Sequence, residues 1–267
     1  MTILKKAATL AAGALISASL AVSAVSAQTV EEIKERGTIN IGMLVDFPPF
    51  GILNQEGQPD GYDADVAKLL AEDMGVDVNL VAVTGPNRIP YLQSNQVDIL
   101  VASLGVTPER AEQVDFSEAY AGIEIFVFGD ADLEIADGAA LSGQNIGVAR
   151  ASTQDTAITA IAPDDANIQR FDDDASAVQA LLSGQVPLIG ASNTVIAQIN
   201  EAAPDQYSTK FSLAQQSQGI ATRKGADELM TYINDFLARK KESGELNALH
   251  EEWVGNPLPE FVVEGAE

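Results

Sequence analysis

Cysteine is absent from the 267 residues, which excludes disulfides, thiolate catalysis, zinc–sulfur sites and a lipid-modified N-terminal cysteine. Histidine occurs once, at His250 in the run ELNALHEEW, where helical spacing and the neighbouring Trp253 read as a packed or surface helix position. A multi-histidine metal site is thereby ruled out and a hydrolytic triad finds no support; neither a metal nor a cofactor is expected. Positive charge is scarce as well, with 15 Lys and Arg against 39 Asp and Glu, a formal charge of −24. Phosphate backbones and anionic lipid surfaces would be repelled, so no nucleic-acid or membrane-surface partner is expected. No stretch reaches the roughly 18 consecutive apolar residues of a membrane-spanning helix.

What is present begins with an address label. MTILKK supplies Lys5 and Lys6, residues 7–22 are apolar and small, and Val25-Ser26-Ala27 offers small residues at a cleavage site before Gln28. This pattern predicts a secretory signal peptide spanning 1–27, removed after Ala27, and a soluble periplasmic chain rather than a lipoprotein. Loss of the two lysines leaves 13 cations against 39 anions, a formal charge of −26. An apolar content of 46% over this length suffices for one large domain or two small ones.

Along the mature chain, strand and helix signals alternate. Residues 38–45 (TINIGMLV) read as a strand, 61–75 as a helix ending at Gly75, 76–83 as a strand, 87–95 as a short helix and 97–103 as a continuous apolar strand suited to a sheet covered on both faces. The alternation resumes with strands at 144–149, 167–171 and 186–190, helices at 152–162, 175–184 and 193–200, and two closing helices at 226–244 and 245–255. This is the logic of two α/β units. Extended stretches at 121–129 and 217–224 lie where the chain would leave one unit and return to it, which predicts two crossovers forming a hinge. The expected architecture is α/β with two lobes, each a central β-sheet flanked by helices: residues 28–124 in lobe one, 125–214 in lobe two, and 215–267 returning to lobe one. The acidic patches at 130–137 and 172–174 read as solvated loops.

The few cations then carry information. Between residues 69 and 209 the only positive side chains are Arg88, Arg110, Arg150 and Arg170, and three of them fall in strand-to-helix loops or first helical turns. Open α/β sheets bind ligands beyond the carboxyl ends of their strands, and a guanidinium pairs a carboxylate through two parallel hydrogen bonds. Arg110, just after strand 97–103, is therefore a candidate for an anionic ligand group; a structural bridge to Glu112 or Asp115 is the alternative.

Thr107-Pro108-Glu109-Arg110 followed by Phe116-Ser117-Glu118-Ala119-Tyr120 resembles the signature of the family-3 solute-binding proteins of ABC importers, the periplasmic polar amino-acid binding proteins. The likeness extends over residues 37–255 through Phe47-Pro48-Pro49-Phe50, Gly61-Tyr62-Asp63-Ala64-Asp65, Asn87-Arg88-Ile89-Pro90 and Ser152-Thr153-Gln154. The resemblance implies a two-crossover (type II) periplasmic binding fold that traps an amino acid or related small carboxylate by hinge closure and presents it, as a monomer, to a permease in the inner membrane. It implies that Arg110 clamps the ligand carboxylate, assisted by backbone N–H groups at Ser103 and Gly105. Phe47 would pack on the ligand, and Ser152 and Thr153 would close from lobe two; Phe47 as plain core and Thr153 as a helix cap are the simpler alternatives. Phe116 and Tyr120 are expected to pack.

Two positions depart from the family pattern, and a third, Arg88, matches only one branch of it. Gly105 stands where many members carry a hydroxyl. The acid that holds the ligand ammonium should fall near the end of strand 186–190, where this chain has Gly190-Ala191-Ser192-Asn193, leaving Ser192 or Asn193 to accept a hydrogen bond. Arg88 matches an arginine that reaches a distal carboxylate in the acidic-amino-acid branch, with a surface salt bridge as its alternative role. Together these favour a ligand with one or two carboxylates and no free amine, or an acidic amino acid if backbone carbonyls or Asp46 replace the missing acid. A cyclohexadienyl-type dehydratase using Glu118 or Glu124 and a detached sensory module are the rival readings; no catalytic residue is expected on the main one.

Overall fold

A computed structural model describes residues 29–263, so the leader segment 1–27 lies outside the described residues. The chain opens with α1 (Val30–Arg36), set by a reciprocal capping box between Thr29 and Glu32 and stopped by Gly37 in the left-handed region. Then follow β1 (Thr38–Met43), the short hairpin β2 (Ile52–Leu53) and β3 (Pro59–Asp60), α2 (Tyr62–Met74), β4 (Asp77–Ala82), α3 (Arg88–Gln93), β5 (Ile99–Leu100) and α4 (Pro108–Ala111). A long strand β6 (Val114–Asp130) leads to β7 (Asn145–Ala149), α5 (Thr153–Ile161), β8 (Asn167–Phe171), α6 (Asp174–Leu182), β9 (Leu188–Ser192) and α7 (Asn193–Ala202). A second long strand, β10 (Tyr207–Arg223), returns to α8 (Asp227–Glu242), α9 (Glu245–Val254) and α10 (Glu260–Val263).

Eight strands share one sheet in the order β4-β1-β5-β10-β6-β9-β7-β8. Its two ends are parallel, β4-β1-β5 and β9-β7-β8, as βαβ connections require. They are joined by the antiparallel pair β6–β10, each strand 17 residues long and hence about 55 Å if fully extended. The Val114 end of β6 and the Arg223 end of β10 belong with β5, while Ile125–Gly129 of β6 pair with β9. Register shifts break the pair at Thr209/Phe211, Ser212/Ala214, Gln218/Gly219 and Gly219/Ala221. Bulges of this kind bend a ladder and raise its local twist, which lets one sheet serve two lobes.

The main apolar cluster runs through both lobes, and each lobe adds a smaller one of its own. In lobe one, Ile39, Ile41 and Ile99 of the sheet meet Val66 and Leu70 of α2 and Ile233, Phe236 and Leu237 of α8, while Leu92, Leu100, Leu104 and Val114 close the opposite face. In lobe two, Val127, Ile146, Val148 and Leu188 pack on Ile158 of α5. The outer strands β4 and β8 are the least covered, so their alternating polar residues face water at the sheet edges. His250 is buried, its Nδ1 2.7 Å from the Asn256 carbonyl and its ring edge-on to Tyr62 at 5.4 Å.

Strand 97–103 is shorter than its apolar run predicts. Only Ile99 and Leu100 lie in the ladder, and the chain then peels away at Ser103, whose φ of +46° turns it out of the sheet. The two extended stretches prove to be parts of the longer β6 and β10, the two strands on which the chain passes between the lobes.

Candidate functional site

The lobes meet along the carboxyl ends of β1, β5, β7 and β8, where the connecting loops enclose a cavity. Lobe one contributes Leu44, Asp46, Phe47, Gly85, Arg88 and Ser103, lobe two contributes Ala149 to Gln154 except Ala151, together with Asp172, Asp173 and Asp174, and Ile123 of β6 forms the floor. Among the bonds that reach across the seam, Arg110 Nη2 donates to the Ala151 carbonyl at 2.8 Å, and Gln198 Nε2 to the Pro48 carbonyl at 2.9 Å.

The lobe-one loop is held by a buried polar network. Asp63, fully buried at the start of α2, accepts from Ser103 Oγ at 2.8 Å and Tyr120 Oη at 2.7 Å; the Ser103 N–H donates to Tyr120 Oη at 3.0 Å, and Tyr62 Oη donates to the Tyr120 carbonyl at 2.7 Å. Burial pushes the Asp63 carboxyl up to about 6, against the pull of the Tyr120 and Ser103 hydroxyls. The network fixes Ser103 in its left-handed conformation. It also engages the Ser103 N–H that the family resemblance assigned to the ligand, and Gly105 is not among the residues lining the cavity.

Gly105 is set by its surroundings. A Cβ there would lie 2.8 Å from Thr153 Oγ1 and 2.8 Å from Gln216 Cδ, so only glycine lets the lobe-two hydroxyl and the β10 amide approach. Gln216 fills the space through bonds to the Val106 and Ser217 carbonyls. Packing thus accounts for the departure from the family pattern.

The two arginines are both turned inward. Arg88, only 5% exposed, donates from Nε to Gly85 and from Nη1 to Ala102 and Ser103 carbonyls, and its Nη2 makes no hydrogen bond among the described residues. The surface salt bridge considered for it is not formed. Arg110 donates to the Gly105 carbonyl at 2.8 Å and across the cleft to Ala151, in the recess beside Gly85–Pro90 rather than in the main cavity. The alternative bridge to Asp115 is absent, since Asp115 pairs with Lys224 at 2.8 Å. Burial, then the like charge of Arg88, lowers the Arg110 guanidinium to about 9, so it stays cationic at neutral pH. Neither arginine makes an ion pair among the described residues: their hydrogen bonds go to neutral carbonyls, while Asp174, Asp46 and Asp63 act on Arg88 only through space.

On the facing lobe, Ser152 caps α5 by accepting from the Asp155 N–H at 3.0 Å, so the cap is Ser152 and not Thr153; both line the cavity. Ala151, at φ +57°, aims its carbonyl at Arg110, and its N–H is held by Asp155, itself paired with Arg170 at 2.9 Å. Phe47 lines the cavity and is also core, 4% exposed and stacked on Phe50 at 5.5 Å. Ser192 does not line the cavity: its Oγ shares a 2.9 Å bond with Thr194 Oγ1 and accepts from the Val195 N–H, capping α7. Asn193 Oδ1 takes the Glu124 N–H at 3.2 Å. Glu118, directed at Lys241, and Glu124, bonded to Gln215, are also outside the cavity lining.

The acidic run 172–174 is not simply a solvated loop. Asp173 caps α6 through the Ser176 N–H at 2.7 Å, and Asp174, partly covered, turns into the cavity opposite Asp46. Burial, then Asp46, pushes the Asp174 carboxyl up to about 7, with Arg88 pulling the other way; burial and Asp173 raise Asp46. A signal for them exists in the sequence: these acids follow a strand and open a helix, the same placement that singles out the arginines.

A family model for bacterial extracellular solute-binding proteins, family 3, matches residues 39–256. The L-cystine-binding protein of Escherichia coli (strain K12) is 26% identical over 229 residues, 85% of this chain and 86% of that one. Among solved structures, a solute receptor for L-cysteine from Neisseria gonorrhoeae superposes with a TM-score of 0.79 at 30% identity, covering 89% of this chain and 96% of that one. An ancestral amino acid-binding protein described as a precursor of cyclohexadienyl dehydratase does so with a TM-score of 0.78 at 31% identity, covering 84% and 98%.

Proposed function

The chain belongs to the bacterial extracellular solute-binding proteins of family 3, and from that premise we propose that it is the solute-capturing component of an ABC importer, closing its two lobes on an amino acid or related small carboxylate. The observation that carries this reading is the pair Arg88 and Arg110, inward-facing guanidiniums at the seam between lobes with no carboxylate partner of their own among the described residues. A ligand carboxylate supplies the directly bonded anion that both lack, and charge-assisted bonds formed away from water are the strong ones.

In this reading the solute meets Arg110, Arg88 and Phe47 on lobe one. Closure then adds Ser152, Thr153 and the open N–H groups at the start of α5. The closed state is selected because only it satisfies both faces of the solute, the hinge closure by which periplasmic binding proteins as a class enclose their ligands. We place the lobe boundaries at residues 124/125 and 214/215, inside β6 and β10. The protein would act as a periplasmic monomer and hand its cargo to a permease in the inner membrane. A dissociation constant near micromolar, roughly −8 kcal/mol, is ordinary for such a trap.

We read the protein as a binder and not an enzyme; Glu118 and Glu124, the acids the sequence offered for a dehydratase, lie outside the cavity. A thermal-shift screen of the mature protein against amino acids and small organic acids tests the reading, since a ligand that binds only the folded state raises its melting temperature. Silence toward every carboxylate solute, or release of aromatic product from prephenate or arogenate, would overturn it.

A further inference from the structure

Resting on that reading of the cleft, we propose that Asp174 of lobe two, facing Asp46 of lobe one, anchors a cationic nitrogen of the solute, an ammonium or guanidinium. Negative charge is in excess in the cavity: Arg88 is the inner cation, while three carboxylates from two lobes, Asp46, Asp173 and Asp174, line the same space, and Arg110 lies in the adjoining recess. Asp46 has no hydrogen-bonded side-chain partner among the described residues, Asp173 spends one oxygen on the Ser176 N–H, and Asp174 takes only a long 3.4 Å bond from Gln154 Nε2. The second observation is Arg88: 5% exposed, it lines the same cavity and its charge is felt by Asp174 and Asp46, yet it hydrogen-bonds to neither, so one inner cation stands against three acids. Arg150 sits at the rim, half-exposed and 4.0 Å from the solvent-facing Asp172, so it does not neutralise the inner acids.

Lobe closure brings Asp46 and Asp174 together in a place shielded from water. Like charges there oppose closure, and a cation placed between them removes the opposition. The solute therefore bears both signs, a carboxylate toward the guanidiniums and a cationic nitrogen toward Asp174. This replaces the sequence expectation of an amine-free acid. It also explains how the chain dispenses with an acid at the end of β9, where Ser192 and Asn193 are consumed by the α7 cap and the Glu124 N–H. No group of three or more metal-ligating side chains is assembled among the described residues, so an organic cation rather than a metal ion fits the site.

The test is titration calorimetry with the twenty L-amino acids, followed by the tightest binder against its 2-hydroxy-acid counterpart, on wild type and Asp174→Asn. Asp174 caps no helix, so the variant should fold, which its melting temperature without solute checks. The expected result is a roughly 10- to 100-fold preference for the amine-bearing solute in wild type, the scale of a charged hydrogen bond, collapsing to within about threefold in Asp174→Asn. L-Arginine and L-lysine against L-glutamine distinguish a side-chain cation from the α-ammonium: a preference for the basic pair that Asp174→Asn abolishes assigns the former. A hydroxy acid or dicarboxylate that binds as tightly as any amino acid, or an Asp174→Asn protein that keeps the preference, overturns the proposal while leaving carboxylate capture by Arg110 intact. Absence of binding by every carboxylate solute fails the underlying reading instead.

Discussion

Replacing Arg110 probes the central physical claim most directly. Its guanidinium makes two bonds of 2.8 Å, one to the Gly105 carbonyl within its own lobe and one to the Ala151 carbonyl across the seam. Hydrogen bonds from a charged donor contribute about 1.5–3 kcal/mol each, so Arg110→Ala should weaken the closed arrangement by about that much through the Ala151 bond alone. If the same group also pairs a buried carboxylate, the loss on binding rises to about 2–5 kcal/mol, or roughly 30- to several-thousand-fold in affinity. Arg110→Lys keeps the charge but not the planar fork that reaches two acceptors, so it should fall between, about tenfold weaker than wild type. The assay is titration calorimetry with the tightest solute from the screen, alongside melting of the protein without solute. An Arg110→Ala protein that binds within about threefold of wild type would refute the argument that this guanidinium grips the solute.

Other expectations follow from the same geometry. Gly105→Ala places a methyl 2.8 Å from Thr153 Oγ1 and Gln216 Cδ, so it should cut affinity by about tenfold or more by propping the lobes apart and lower denaturant stability by about 1–3 kcal/mol by crowding Gln216; equal affinity by calorimetry would contradict this. Tyr120→Phe removes the hydroxyl shared by Asp63 and the Ser103 N–H and should cost about 1–3 kcal/mol in chemical denaturation. The carboxyls of Asp174 and Asp63, pushed up to about 7 and about 6, are raised above their ordinary range. Each therefore contributes stability that is full below pH ~4 and lost as pH rises through its folded value, provided the unfolded group titrates normally. The protein without solute should melt at a higher temperature near pH 5 than near pH 8. The groups facing Asp174 are Asp46, Asp173, Arg88 and Gln154, and Asp174→Asn should flatten the upper part of the curve; an unchanged slope would count against its burial at the seam.

Much of the architecture is legible in the sequence because it is local. The helix over 61–75 ends at Gly75, which takes φ +76°, and the strand-to-helix placements of Ser152 and Ser192 become caps by ordinary side-chain chemistry. The capping box at Thr29 and Glu32 is equally readable, yet α1 is not among the sequence expectations; nor is the β2–β3 hairpin. Other features are set by distant parts of the chain. The full length of β6 and β10 emerges only when residues 114–130 and 207–223 pair, and β5 shortens because its last residues are drawn off by Asp63 and Tyr120. Asp173 and Asp174 read as solvated acids because charge alone suggests water. What covers them is Arg88 and Asp46, more than 80 residues upstream, and no local pattern announces that contact.

The interleaved sheet carries a consequence for how the polypeptide assembles. Lobe two is built almost wholly from one uninterrupted stretch between β6 and β10, whereas lobe one cannot complete its sheet until β10, which neighbours β5 in space but arrives more than 100 residues after it in the chain. Closing that loop has to precede the reward from packing α8 and α9 onto α2, so the part synthesised first should be the part that matures last. A nascent chain held in this order keeps its leading half uncommitted until nearly all of it has emerged.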